Sequence, residues 1–138
     1  MYKVVIIGAG RIFQKHYQSI KNLKNKFKLV GVFDKEKTRN SNCSILCGVP
    51  IYNNYDDLIE STKPDIITIL TESGNHLKIC KDIIKKFRVK NFIIEKPLDV
   101  STKKIISFNK YIKNKKINIF TVKQNRFNKA VVKAKDII

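Results

Sequence analysis

The chain has 138 residues and a formal net charge of +18, from 29 Lys and Arg against 11 Asp and Glu. This length fits one domain, and because no run of about 18 uninterrupted apolar residues exists we expect no membrane span. The charge is compatible with nucleic-acid binding, but the lysines are dispersed over several segments. Only four of the basic residues are Arg, the better reader of bases and phosphates, so we expect any such binding to be non-specific.

The three cysteines do not form a metal or redox motif. Cys43 and Cys47 have three residues between them rather than two, and Cys80 stands apart. His16 and His76 lie in different predicted elements. We therefore predict no metal site, and free reduced thiols in a reducing compartment, the cytoplasm.

The chain begins with a junction that favours phosphate. Residues 2–7 are an apolar, β-branched run, which predicts a buried parallel strand, and Gly8 and Gly10 then predict a tight turn into a helix. Gly8 allows the sharp turn, and Gly10 lets the backbone approach a pyrophosphate at the helix N-terminus. The alternative is an ordinary strand–helix turn without a ligand.

The first predicted helix departs from the dinucleotide fingerprint. Phe13 occupies the third glycine position of G-x-G-x-x-G, where we expect it to push the helix away or turn outward. Phe13, Tyr17, Ile20 and Leu23 repeat at helical spacing. His16 lies on or beside that stripe, and we interpret it as a packed helix histidine.

The second predicted strand, residues 28–33, ends in Asp34, a little over 20 residues after the glycines. A carboxylate at this place accepts hydrogen bonds from the adenosine ribose and repels a 2′-phosphate, which favours NAD over NADP. Lys35, Lys37 and Arg39 follow and could soften that preference. The alternative for Asp34 is a helix N-cap or turn residue.

The remaining elements alternate between helices and strands. We predict a helix and exit turn at 40–48, a short strand at 49–52, a short helix from 56, a buried strand at 66–70, a helix around 80–87, a strand at 91–94, a helix from 101 or 102, and a sixth strand at 117–122. This alternation predicts an α/β fold with a doubly wound parallel sheet. Polar groups follow five of the strands, at the edge where such sheets bind ligands.

Four of these sites resemble the Gfo/Idh/MocA oxidoreductases, the glucose–fructose oxidoreductase, inositol dehydrogenase and rhizopine-catabolism family. They are residues 8–12, Asp34, the loop 71–76 and Glu95-Lys96-Pro97, the last being the most specific mark. The resemblance covers essentially the whole chain as the family's N-terminal Rossmann domain. Residues 122–127 further resemble members that oxidise UDP-linked N-acetyl-amino-sugar uronates in lipopolysaccharide biosynthesis.

The resemblance implies a role for each matching residue. The pyrophosphate would be held by Gly8, Gly10, Arg11 and Ile12, and the adenosine ribose by Asp34. The groove for the cofactor would be lined by Thr71, Asn75, His76 and Gln124. The nicotinamide ribose and the substrate would contact Glu95 and Lys96, and the substrate would also contact Arg126. Lys96 would be catalytic, orienting the substrate hydroxyl and taking part in proton transfer. Its alternative is a surface lysine before a turn proline. Pro97 is expected to follow a cis bond, and Glu72 stands where many members have proline.

The resemblance also implies a second domain. Residues 1–122 would form the NAD-binding domain, and residues 123–138 would begin the crossover into a C-terminal α/β domain, so we expect a fragment or truncated product that is inactive alone. The implied enzyme is an NAD-dependent dehydrogenase acting on a CH–OH group of a sugar or sugar nucleotide, oligomeric only at full length. The alternatives are a non-catalytic NAD-sensing module and a basic nucleic-acid-binding protein.

Overall fold

The computed structural model describes residues 1–137. In chain order its elements are β1 (Tyr2–Ile7), α1 (Phe13–Asn22), β2 (Phe27–Phe33), α2 (Lys37–Cys47), α3 (Tyr55–Thr62), β3 (Ile66–Ile69), α4 (His76–Lys86), β4 (Asn91–Ile94), α5 (Thr102–Ile112), β5 (Asn118–Thr121), a 3₁₀ turn (Gln124–Phe127) and α6 (Lys129–Ile137). No helix in this part of the chain is both long and apolar enough to cross a membrane.

The five strands form one parallel sheet in the order β2-β1-β3-β4-β5. The chain starts at β1, runs outward to β2, and then crosses back to β3 on the other side of β1. The direction of winding therefore reverses between β1 and β3, which is where doubly wound sheets open a crevice at their carboxyl edge. The predicted α/β doubly wound sheet is confirmed.

Both faces of the sheet centre are buried by helices, which explains the uninterrupted apolar run of β1. Val5 and Ile7 face α3, α4 and α5 in the larger core cluster, and Ile6 faces α1 in the smaller one. The four residues from Val4 to Ile7 are each at most 2% exposed. A strand covered on both sides has no polar face to present, so its sequence does not alternate.

One prediction about local structure is wrong, and one of the two alternatives for Phe13 is excluded. Residues 49–52 form no strand, because the chain there is held by α2 rather than by the sheet: Val49 N–H donates to Ser44 O, and Asn40 Nδ2 donates to Tyr52 O. Pro50 also lacks the donor that a sheet interior needs. Phe13 does not turn outward; it is 3% exposed and packs into the smaller core cluster, beside the small side chains of Ala9 and Cys43.

Candidate cofactor-binding site

A groove of about 570 Å³ opens at the carboxyl edge of the sheet, at the crevice between β1 and β3. Ten of the predicted site residues line it: Gly8, Gly10, Arg11, Ile12, Asp34, Thr71, Asn75, His76, Glu95 and Lys96. Gln124 lines a second groove on the sheet face beside β5, and Arg126 lines neither of the two. The structure therefore brings these ten residues together in one groove, and the roles of all twelve residues stay predictions.

Glycine has different structural consequences at positions 8 and 10 of the first turn. Gly8 has φ of +100°, and a Cβ built on it would lie 2.7 Å from the carbonyl carbon of Leu70. Gly8 N–H donates to Phe33 O at 2.8 Å, so this residue is fixed between the ends of β2 and β3. A Cβ on Gly10 would meet nothing nearer than Arg39 Nη1, at 3.8 Å. Packing thus demands glycine at position 8, whereas at position 10 glycine leaves open space in the groove.

Two of the helix N-termini at the groove have no side-chain cap. The helices α2, α3 and α5 have side-chain caps from Glu36, Asn54 and Ser101. The helices α1 and α4 start at the groove, and neither has a side-chain hydrogen bond from its cap residue, Ile12 or Asn75. Their positive dipole ends therefore face an anion in the groove, although in α1 the N–H groups of Phe13 and Lys15 already donate to Gly10 O and Ile12 O.

Asp34 fastens the glycine turn to the end of β2. It is 8% exposed; its Oδ2 accepts from Ala9 N–H at 2.6 Å and its Oδ1 from Glu36 N–H at 2.9 Å. Because each carboxylate oxygen has further acceptor capacity, Asp34 can still accept ribose hydroxyls. The cap of α2 is Glu36, whose pKa is held below its usual value by N–H bonds from Arg39 and Thr38. Asp34 is therefore not the N-cap of α2.

The other end of the groove is built by side chains from distant segments. Glu95, 7% exposed, follows β4; its Oε2 accepts from Lys96 N–H, and its Oε1 lies 2.9 Å from His16 Nε2 on α1. This pair fixes the backbone at Lys96, whose own side chain is exposed and lines the groove. The Lys96–Pro97 bond is cis, as predicted. The contact of His16 with Glu95 at this end of the groove is one that the sequence interpretation missed.

His76 joins two loops of the groove. Its ring is 1% exposed, with Nδ1 at 2.9 Å from Pro97 O and Nε2 at 2.7 Å from Thr71 O. Both ring nitrogens therefore face backbone carbonyls, so His76 supports the loops that carry Thr71 and Lys96. Thr71 Oγ1 is buried without a hydrogen-bond partner among the residues described.

Tyr55 is a further lining residue that sequence reasoning did not select. Its hydroxyl donates to Asp82 Oδ2 at 2.8 Å, and burial together with Asp82 raises the pKa of Tyr55 to about 12. The phenol is therefore neutral at physiological pH. Within residues 1–137 no three His, Cys, Asp or Glu side chains are grouped to hold a metal ion.

Solved structures of three dehydrogenases share this fold. The WlbA dehydrogenase from Bordetella pertussis, in complex with NADH and UDP-GlcNAcA, has a TM-score of 0.90 at 21% identity, over 98% of this chain and 41% of that one. The corresponding complex from Chromobacterium violaceum gives 0.84 and 23%, over 92% and 36%. The myo-inositol 2-dehydrogenase from Lactobacillus plantarum gives 0.85 and 23%, over 99% and 40%. At these identities the likeness shows the fold alone.

The chain spans between 36% and 41% of the length of these three proteins. The comparison with curated protein sequences gave no match. Residues 2–123 match the family model of an oxidoreductase family with an NAD-binding Rossmann fold. Since that match covers most of the 138 residues, the chain belongs to the Gfo/Idh/MocA oxidoreductase family, whose domain of this fold binds NAD.

Proposed function

We propose that this chain is the cofactor domain of an NAD-dependent dehydrogenase that oxidises a CH–OH group of a sugar or sugar nucleotide. One observation carries the proposal: a single groove collects the glycine turn, the Asp34 carboxylate and the Lys96 side chain. In this proposal residues 1–122 are the NAD-binding domain, and residues 123–138 begin the crossover into a C-terminal α/β domain.

The residues of the groove fit NAD. Gly10 leaves a space that any Cβ would fill, beside the uncapped N-terminus of α1, which suits a pyrophosphate. Thr71 Oγ1 is a buried polar atom without a partner among residues 1–137, and a cofactor hydroxyl or amide would supply one. Asp34 keeps acceptor capacity for the ribose, and Arg11 adds a positive charge at the groove.

The chemistry would depend on the nicotinamide end. When bound there, NAD supplies the acceptor for the hydride that leaves the substrate carbon. Lys96 Nζ, as the unprotonated amine, would hydrogen-bond to the reacting hydroxyl and take up its proton, becoming an ammonium as the carbonyl forms. The Glu95 carboxylate, between Lys96 N–H and the His16 ring, would hold this lysine's backbone in place. Removing a positioned proton-transfer group costs on the order of 10²–10⁴-fold in rate.

Two features support a sugar nucleotide as the substrate class. Structural neighbours of this chain were crystallised with UDP-GlcNAcA, and residues 122–127 resemble members that oxidise such uronates. We therefore propose an amino-sugar uronate of lipopolysaccharide biosynthesis as the substrate, bound by Lys96 and Arg126, with Gln124 reaching the cofactor. The full-length form would be a homo-oligomer in the cytoplasm, where the three free cysteines would stay reduced.

A second candidate is a non-catalytic NAD-sensing module. The exposure of Lys96 favours it, because no element within residues 1–137 encloses the groove at that end and excludes water. The two candidates differ in what Lys96 does: a sensor has no need of a lysine at the reacting carbon, whereas a dehydrogenase needs it for turnover.

The deciding experiment joins residues 1–122 to the substrate domain of the Bordetella WlbA enzyme and measures oxidation of UDP-GlcNAcA. Lys96→Met should lower kcat by about 10²–10⁴-fold and leave the Kd for NADH unchanged, since the lysine acts in the transition state. The matched control is Lys113→Met, at an exposed lysine after α5, which should be neutral. Normal turnover by the Lys96→Met fusion would show that the lysine is structural. Efficient sugar oxidation by the 138-residue chain alone would contradict the need for a second domain.

A further inference from the structure

Two cations stand beside the carboxylate that would hold the adenosine ribose. Lys35 directly follows Asp34, and the Arg39 guanidinium is the nearest group to the open space at Gly10. Both side chains line the groove with Asp34. NADP carries a 2′-phosphate with a charge of about −1.5 to −2 on this ribose, and basic side chains near the second strand are what commonly accommodate it. Taken alone, Lys35 and Arg39 would therefore attract NADP.

Each of these cations is already paired with a carboxylate. Lys35 Nζ lies 2.9 Å from Glu72 Oε1 and 3.2 Å from Glu72 Oε2, across the mouth of the groove. Arg39 Nε lies 3.2 Å from Glu36 Oε2. Asn75 Nδ2 also donates to Glu72, at 3.1 Å, which orients the carboxylate from within its own loop. The loop after β3 thus supplies the counter-charge to the loop after β2.

We propose that Glu72 is a specificity-determining residue that disfavours NADP by neutralising Lys35. This inference rests on the proposed function, in which Asp34 holds the adenosine ribose. Glu72 acts through Lys35: while the pair is formed, the ammonium has its counter-charge, and a 2′-phosphate placed beside it would also face the Glu72 carboxylate. Glu36 has the same relation to Arg39, but it also caps α2, so changing it would affect the helix as well. Among the residues described, Glu72 caps no helix, so changing it tests the charge alone.

The pair contributes little to the fold, and its effect should therefore be seen on the ligand. The Lys35 and Glu72 side chains are 72% and 67% exposed, and pairs this exposed add little to stability. Lys35 also holds the pKa of Glu72 below its usual value, so the carboxylate is charged throughout the neutral range. Neutral glutamine at position 72 keeps the shape and removes the charge.

The test is calorimetric titration of the 138-residue chain with NAD and with NADP. Glu72→Gln should tighten NADP binding about two- to fivefold, in line with the strength of an exposed ion pair, and change NAD binding less than twofold. The shift should shrink as salt is raised. It should become smaller in a Lys35→Ala background, where Glu72→Gln removes only the direct repulsion between the Glu72 carboxylate and the 2′-phosphate.

The matched control is Glu60→Gln, which removes one charge from an exposed glutamate on α3 that does not line the groove. An equal gain in NADP affinity from Glu60→Gln would overturn the inference, because net charge alone would explain it. An unchanged ratio of the two affinities in Glu72→Gln, with NAD binding intact, would also overturn it. Absence of NAD binding by the wild-type chain would instead overturn the proposed function.

Discussion

The two ends of the groove are built in different ways. At the adenosine end, Gly8, Ala9 and Asp34 are tied by backbone N–H bonds between the ends of adjacent strands. At the nicotinamide end, Lys96 is positioned by side chains, with His16 and Glu95 meeting across 79 residues of sequence. The first end therefore depends on backbone conformation, and the second on packing between separate elements. The two ends should differ both in what breaks them and in how far a sequence reveals them.

The largest expected effect is on the adenosine end of the groove, which depends on backbone conformation. Gly8→Ala should destabilise the chain by about 3 kcal/mol or more, because it combines a positive φ with overlap on the Leu70 carbonyl.

Gly10→Ala should fold normally, yet lose about tenfold or more in NAD affinity, because the methyl group occupies space that a pyrophosphate needs. Urea denaturation and NADH fluorescence titration measure the two effects.

Gly74→Ala is the control for both, since no atom lies within 4 Å of the position that its methyl group would take and its φ is not positive. It should change neither stability nor affinity by much. Tight NAD binding by Gly10→Ala would remove the main support for the pyrophosphate assignment. A stable, well-folded Gly8→Ala would mean that the turn can relax away from β3.

The same contrast explains which parts the sequence predicted. Asp34 was placed correctly beside the glycine turn, because parallel strands end at one edge and the strand pattern located both ends. The partner of His16 could not be found in this way: its spacing places it beside an apolar stripe, and nothing local marks a carboxylate 79 residues away. The same limit explains why the burial of Phe13 was not predicted. A helical pattern shows which face of the helix is apolar, but not how much space the neighbouring side chains leave for a large ring.

The false strand at 49–52 has a more local cause. Its short apolar sequence resembles a strand, but the conformation of these residues depends on how α2 ends. Gly48 adopts the left-handed conformation at the C-cap, and the next residue bonds back to Ser44 O, so the chain stays attached to the helix. A propensity for strand was thus overridden by the local hydrogen bonding at the end of α2.

A smaller effect is expected at the nicotinamide end of the groove, which depends on contacts between side chains. His16→Leu removes one hydrogen-bond partner from the buried Glu95 carboxylate, which should cost about 1–3 kcal/mol in the free energy of unfolding. It should weaken binding of NADH but not of ADP-ribose, which lacks the nicotinamide. His16→Gln, whose amide can donate in place of Nε2, should restore part of both losses. Equal weakening of the two ligands would show that His16 acts on the fold rather than on the end at Lys96.

The smallest expected effect concerns the cysteines, which lie outside the groove. Burial raises the pKa of Cys47 to about 11 and that of Cys80 to about 12. A raised thiol pKa means that the reactive thiolate is scarce at pH 7 to 8 and increases only as the pH rises. Alkylation followed by mass spectrometry should modify Cys47 before Cys80, both slowly, with little change on adding NAD. Rapid modification of Cys80 in the folded chain would contradict its burial.

The most direct test of the account is calorimetric titration of NAD and NADP into the wild-type chain and into Asp34→Asn. The account places the adenosine ribose on Asp34, so the wild-type chain should bind NAD more tightly than NADP. Asp34→Asn should lose about tenfold in NAD affinity, as expected for a hydrogen bond to a charged acceptor, and with it the preference for NAD. Equal or tighter binding of NADP by the wild-type chain would contradict the assignment of Asp34 and would indicate Lys35 and Arg39 as phosphate ligands.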